Sequence, residues 1–175
     1  CAVDGTVAIG HYAARALTTG QKTTAVGYYA LELNQGGQNN TALGYEALKS
    51  ITTSGHHNTA IGSDVMRVAT AARSNTSVGD SALRSLTTGD QNVAMGHNTM
   101  YNCTTGYQNV AIGAGAVGSN VPAGYNISTG FQNTLIGCRS GEAITTSERN
   151  TFIGYMAGFN LTDGGGSGNG RNLSL

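Results

Sequence analysis

The chain has 175 residues, a formal net charge of zero and only 10% charged side chains. That length corresponds to a single domain, and the neutral, charge-poor composition excludes the basic footprint of a nucleic-acid-binding protein as well as any charge block that would draw the chain to a membrane surface. Its apolar runs are a few residues long, too short for a transmembrane helix, so no membrane insertion is expected.

Glycine reaches 27 residues while proline falls to one and tryptophan is absent, yet 39% of the chain is hydrophobic. A disordered glycine-rich linker would carry more proline and charge. The combination points to a turn-dense fold with narrow layers. Three cysteines, Cys1, Cys103 and Cys138, have neither a disulfide nor a zinc spacing. The chain opens at Cys1 with no signal-peptide pattern, which reads as a processed or excised piece.

From there the sequence is one repeat. Glycines preceded by an aliphatic residue fall at Gly10, Gly27, Gly44, Gly62, Gly79, Gly96, Gly113, Gly137 and Gly154. The intervals are 17, 17, 18, 17, 17, 17, 24 and 17 residues. Three positions before each glycine stands Thr or Val, from Val7 and Thr24 to Thr151, and one position before stands Ile, Val, Leu or Met, from Ile9 to Ile153. Between them is Ala or Ser in seven coils, then Leu135 and Phe152. This alternation predicts a strand in every coil. The Thr/Val and aliphatic columns share one face, expected to be the interior, and alanine takes the other.

Asn stands four before the glycine in seven coils, Asn40, Asn58, Asn75, Asn92, Asn109, Asn133 and Asn150. In register these side chains form an amide ladder. Seven before the glycine comes Gly20, Gly37, Gly55, Gly89, Gly106 or Gly130, often introduced by Thr-Thr; this triplet reads as a corner needing positive φ. The Ala-Leu segments, such as Ala30-Leu31 and Ala47-Leu48, fit a short second strand or a tight turn, and the reading adopted is two short strands and two corners per coil. Seventeen residues are too few for a strand and a packed helix.

The expected fold is therefore all-β: a parallel β-solenoid of about nine 17-residue coils over residues 1–161, about 43 Å long at about 4.8 Å per coil. Seven extra residues between Gly113 and Gly137 hold Pro122 and predict a loop insertion near 118–126. Residues 162–175, with Gly164-Gly165-Gly166-Ser167-Gly168, read as a glycine-rich linker or tail leading to a further domain.

A coil this short encloses little apolar volume, so neighbours must add burial. The alanine column, Ala25, Ala42, Ala60, Ala94 and Ala111, is expected to be flat and to form the contact between subunits. Segments such as Asn58-Thr59-Ala60-Ile61-Gly62 and Thr104-Thr105-Gly106-Tyr107-Gln108-Asn109-Val110-Ala111-Ile112-Gly113 resemble the repeat shafts of bacteriophage tail fibres and tailspikes that carry a C-terminal intramolecular chaperone. More distantly they resemble the β-roll head of trimeric autotransporter adhesins. The resemblance spans residues 6–161. It implies a homotrimer, on a virion tail fibre or at a cell surface, that attaches to a host glycan or protein receptor.

Candidate sites are few. Tyr28, Tyr45 and Tyr155, one position after the glycine, form an aromatic column suited to sugar rings. In the same column His11 and His97 could meet symmetry mates around a metal, but no second ligand residue accompanies them, so no metal and no cofactor is assigned. His56-His57 falls in a solvent-facing corner. Glu46 and Asp64 lie in adjacent coils at the separation of a retaining glycosidase, which gives the alternative function, a polysaccharide depolymerase. Lys49 and Arg67 stand three residues after them, and Arg15, Glu32, Lys49, Arg67 and Arg84 form a column of their own. Solvated ion pairs are the simpler reading. No catalytic residue is assigned. An ice- or mineral-binding role for the threonine column is set aside, because that column is expected to be buried.

Overall fold

A computed structural model describes residues 5–114 and 121–161, together with the backbone of the pair Leu173–Ser174. The loop expected near 118–126 and the tail 162–175 therefore lie partly outside the described residues. Nine three-residue strands follow one another: β1 (Val7–Ile9), β2 (Thr24–Val26), β3 (Thr41–Leu43), β4 (Thr59–Ile61), β5 (Thr76–Val78), β6 (Val93–Met95), β7 (Val110–Ile112), β8 (Thr134–Ile136) and β9 (Thr151–Ile153). A two-residue β10 (Leu173–Ser174) pairs in parallel with β9. All ten form one parallel sheet in sequence order, with like residues side by side, as in Ala25↔Ala42 and Ala42↔Ala60.

The chain is thus a β-solenoid of about eight turns, one fewer than the nine glycines imply, because nine strands enclose eight steps. At about 4.8 Å per step β1 and β9 lie about 38 Å apart. Each turn holds a single strand, not two. The Ala-Leu segment is instead a chain of tight turns, in which Ala13 N–H bonds Gly10 C=O, Arg15 N–H bonds Tyr12 C=O and Leu17 N–H bonds Ala14 C=O. The residues between them bond the next coil: Ala14 N–H to Ala30 C=O and Ala16 N–H to Glu32 C=O. Every second amide closes a turn and every other one holds the stack.

This ribbon demands left-handed backbone at ordinary residues. The second and fourth positions after the glycine have positive φ, as in Tyr29 at 57° and Leu31 at 53°, or Glu46 at 52° and Leu48 at 50°. Among the described residues no β-branched residue occupies such a position, since branching at Cβ would add the steepest strain there. The strand glycines have both φ near +130° and no room: a Cβ on Gly44 would lie 2.2 Å from the carbonyl oxygen of Gly62. The corner glycine differs from expectation. Gly37 does not have positive φ; it is required because a Cβ would meet Gly55 O at 2.3 Å. The positive φ falls two residues later, at Asn39. The preceding threonines bind across coils: Thr87 donates its hydroxyl to Thr104 C=O, and Thr104 donates to Ser128 C=O.

The faces of the strands are the reverse of the expected ones. Ala25, Ala42, Ala60, Ala94 and Ala111 are fully buried inside their own coils, while Ile9, Leu43, Met95, Ile112 and Ile153 are exposed. Alanine points inward because the opposite wall already fills the roll. Facing it are Leu31, Leu48, Met66, Leu83 and Met100, all fully buried. In the last coils the sizes exchange. Leu135 and Phe152 take the strand position, and the facing residues become Gly141 and Gly158, where a Cβ would come within 2.8 Å of Leu135 and 2.6 Å of Phe152. Over β2–β6 and again at β8 and β9 each layer holds one large and one small side chain, as close packing requires; at β7, where Ala111 is paired with Gly124, Leu135 and Met100 of the neighbouring layers reach into the space instead.

This compensation can be tested by a double-mutant cycle. Leu135→Ala alone should cost about 2–5 kcal/mol through the cavity it leaves, and Gly141→Leu alone should destabilise by overpacking. Together they recreate the Ala–Leu pair of Ala25 with Leu31 and Ala42 with Leu48, and urea denaturation should place the double variant within about 1.5 kcal/mol of the parent. Ser77 interrupts the alanine column with a buried hydroxyl that makes no hydrogen bond. Ser77→Ala should leave the urea midpoint unchanged or raise it, because a desolvated, unpaired group is removed.

Candidate functional site

Three surface columns carry the candidate chemistry. The first is the outer face of the sheet. Its two columns are the Thr/Val positions of β1–β9, mostly half-buried, and the aliphatic positions, among which Ile9 is 60% and Ile112 36% exposed. Neither column contains a charged residue in any coil. The alanines assigned to a subunit contact cannot serve as one, since each is fully enclosed by its own chain.

The second column lies three residues after each strand's central residue: His11, Tyr28, Tyr45, Ser63, Asp80, His97, Ala114, Cys138 and Tyr155. Parallel in-register pairing aligns these positions along the rod. His11 stacks on Tyr28 at 5.4 Å with planes 12° apart, and Tyr28 stacks on Tyr45 at 5.5 Å with planes 3° apart. Tyr12 stacks on Tyr29 beside them at 5.2 Å. Of the three tyrosines assigned to glycan contact, Tyr28 and Tyr45 are therefore adjacent. Tyr155 is at the far end of the column and is 67% exposed. The two histidines do not meet within the chain: His11 belongs to the aromatic stack, and His97 Nε2 lies 3.9 Å from Asp80. Among the described residues no group of three His, Cys, Asp or Glu side chains is placed to hold a metal.

The third column is ionic and less solvated than its sequence implies. Arg15 pairs with Glu32 at 2.9 Å, Lys49 reaches Glu32 at 3.8 Å and Glu46 at 2.9 Å, and Arg67 binds both Glu46 and, at 3.3 Å, Asp64. Glu32 and Glu46 are buried between their cations. Lys49 also covers the Tyr29 ring and Arg15 the Tyr12 ring, which joins this column to the aromatic one. Burial alone would push the Glu46 carboxyl up, but hydrogen bonds and charge from Lys49 and Arg67 outweigh it and hold the group below its ordinary range. A general acid needs the opposite shift. The Arg67 guanidinium is raised in turn, first by its hydrogen bond to Glu46.

Other titratable side chains serve the fold. His56 is half-buried, in contrast to the solvent-facing place expected of it, and its Nδ1 accepts the Gln38 N–H at 3.0 Å. Burial, with help from Arg73 and His57, keeps it easier to deprotonate than a free imidazole. Cys103 is buried, and burial pushes its thiol up to about 12, so it is inert packing. Cys138 is half-buried with its Sγ 3.6 Å from Val121 C=O.

The signal for the outer face was present in the sequence. Leu135 and Phe152 stand in the alanine column, and residues of that size on a strand mark the packed side. No family model, no curated protein and no solved structure matches the chain.

The lowered Glu46 pKa fixes the sign of a pH effect. The unfolded chain takes up the proton at the ordinary glutamate range near 4.5 and the folded chain only at lower pH. The ion-pair contribution is therefore complete above that range and disappears as pH falls through the folded value. Urea midpoints followed from neutral pH down to about pH 3 should show this loss in the parent. Glu46→Gln should start lower at neutral pH and lose less on acidification.

Proposed function

We propose that the protein is a structural and adhesive rod, a segment of a homotrimeric fibre in which the outer faces of three sheets meet around a common axis. The observation that carries this reading is the uncharged sheet face with its exposed aliphatic residues, running through all nine strands. Exposed apolar surfaces of more than a few hundred Å² mark interaction sites. This one is about 38 Å long and about 13 Å wide, or roughly 500 Å² in projection. Two copies would bury about 1,000 Å² and three about 1,500 Å², the range of specific interfaces.

A second copy of the chain is the partner that fits best. Its aliphatic rungs repeat at the same spacing and carry no charge to desolvate, and its threonines tolerate both packing and hydrogen bonding. The interface therefore moves from the alanines to the Thr/Val and aliphatic columns that flank them. The likeness to phage tail-fibre shafts supports placing the rod on a virion or at a cell surface, where it would hold a receptor-binding element away from its base. Both carboxylates of the depolymerase alternative are bound to Arg67, which supports a structural role for them over a catalytic one.

One observation favours a second reading. The threonine column, set aside as buried, lies on the outside with Thr24, Thr41, Thr59, Thr76, Thr134 and Thr151. A flat array at strand spacing can order water, and a protein acting so would be monomeric and would delay ice growth.

Light scattering decides between them. The parent should have three times the chain mass, and Ile61→Asp with Ile112→Asp should give a monomer whose circular dichroism and cooperative melting persist, because both residues lie outside the core. A monomeric parent that shapes ice would replace the fibre reading with the second one. Misfolding of the double aspartate variant would return the aliphatic column to the interior.

A further inference from the structure

The continuous aromatic stack ends at Tyr45, which has a ring partner on one side only. Tyr28 has a ring on each side, His11 at 5.4 Å and Tyr45 at 5.5 Å. The three rings are nearly parallel to one another, one per coil. Tyr45 has Tyr28 on one face. In the next coil the equivalent residue is Ser63, whose side chain ends at one hydroxyl, and beyond it stand Asp80 and His97. One rung of the ladder is therefore empty. Its near wall is the Tyr45 ring, 49% exposed and in contact with Glu46 beside it, its floor is Ser63, and its far wall is Asp80 with His97 3.9 Å behind it. Tyr45 and Asp80 are two coils apart, about 9.6 Å. Subtracting about 1.8 Å for the half-thickness of each wall leaves about 6 Å, room for one saturated six-membered ring lying parallel to Tyr45.

The groups around the gap have complementary chemistry. Tyr45 offers an electron-rich face. Asp80 offers a carboxylate, of which Oδ1 accepts from the Ser81 hydroxyl. The charges behind the floor are already used, Asp64 by Arg67. A flat apolar face beside an exposed acceptor and an imidazole is what a pyranose ring requires: its axial C–H bonds pack on an aromatic face while its equatorial hydroxyls donate to a carboxylate. A lone aromatic acid or amine would lack partners for one side.

We infer that the gap over Ser63, between Tyr45 and the Asp80–His97 pair, is a binding subsite for a single pyranose residue of a surface glycan, the sugar completing the aromatic ladder. This deepens the attachment role proposed above and rests on it for its biological sense, though not for its geometry. It also narrows the earlier assignment: Tyr28 supports Tyr45 but has no free face, and Tyr155 is outside the subsite.

The test is saturation-transfer NMR of the full chain with methyl β-D-galactopyranoside and methyl β-D-glucopyranoside as probes. The parent should transfer saturation to the ring C–H protons of at least one of them. Ser63→Tyr fills the rung with the residue type already used in the two coils before it, so the fold should survive, and the transfer should fall at least tenfold. Tyr45→Ala should fall likewise, while Ser63→Ala and Tyr155→Ala should retain the parent signal. Absence of transfer in the parent, or an unchanged signal in a folded Ser63→Tyr protein, would overturn the subsite. Light scattering on the same samples reports assembly separately: a trimer that binds neither glycoside removes the subsite alone, and a monomer that binds one removes the fibre reading alone.

Discussion

The buried asparagine ladder is the interaction on which the remaining architecture depends. Each interior rung uses all its hydrogen-bonding capacity. Asn92 Nδ2 donates to Asn75 Oδ1 at 3.0 Å and to Gly106 C=O at 2.8 Å, while Asn92 Oδ1 accepts both the backbone N–H and the Nδ2 of Asn109. The same pattern runs from Asn40 to Asn150. An orphaned amide in this interior would cost about 1–3 kcal/mol, so sliding one coil against the next is penalised at every level. Register is then fixed, and once it is fixed each residue meets its own equivalent in the adjacent coil. Every feature of the molecule is consequently a column. The glycines approach to where no Cβ fits, the threonine hydroxyls reach the next coil's carbonyls, and the charges pair up and down the rod.

The period, the parallel stack, the ladder and the position of the strands were all legible, because each depends on local residue type and spacing. The direction of the strand faces was not. Alternation along Thr-Ala-Ile shows that two faces exist without showing which is inside, and hydrophobicity alone assigns the interior to isoleucine. What decides is volume. A turn of about seventeen residues encloses one layer of side chains, and Leu31 or Leu48 from the far wall already occupies it, so only alanine fits opposite. The evidence lay in two coils. Where Leu135 and Phe152 enlarge the strand position, Gly141 and Gly158 shrink the facing one, a covariation that makes sense only if both point into the same space. The tight-turn ribbon was missed for a related reason: left-handed backbone at Tyr29, Leu31, Glu46 and Leu48 runs against ordinary residue preference. Only the hydrogen bonds to adjacent coils compensate for it, and those belong to the stack and not to the segment.

Reversing the faces changes which residues carry function. Inward isoleucines would have left a small flat alanine surface outside. With alanine inside, the largest apolar side chains of each strand are on the surface, and the roll has an interior too thin to account for all of its hydrophobic content. A single chain of this kind has one enclosed core and one apolar face left outside it. That is the physical basis for reading the rod as a subunit, and it follows from the size of the coil more than from any one residue.

Columns also explain where recognition is to be sought. A surface that repeats at every coil presents the same chemistry along its length, which suits assembly with an identical copy and gives no particular place for a ligand. Distinct sites arise where a column is broken. The aromatic column is continuous over His11, Tyr28 and Tyr45, then drops to Ser63 and changes to Asp80 and His97. The break leaves an aromatic face, a carboxylate and an imidazole around a gap whose dimensions are set by the coil spacing itself. The regular part of the column supplies rigidity, since a ring held on one side by two stacked neighbours loses little freedom when its other side is covered. Preorganisation of that kind reduces the entropic cost of binding a weakly held ligand, and three such gaps around a trimer axis would add their effects through avidity.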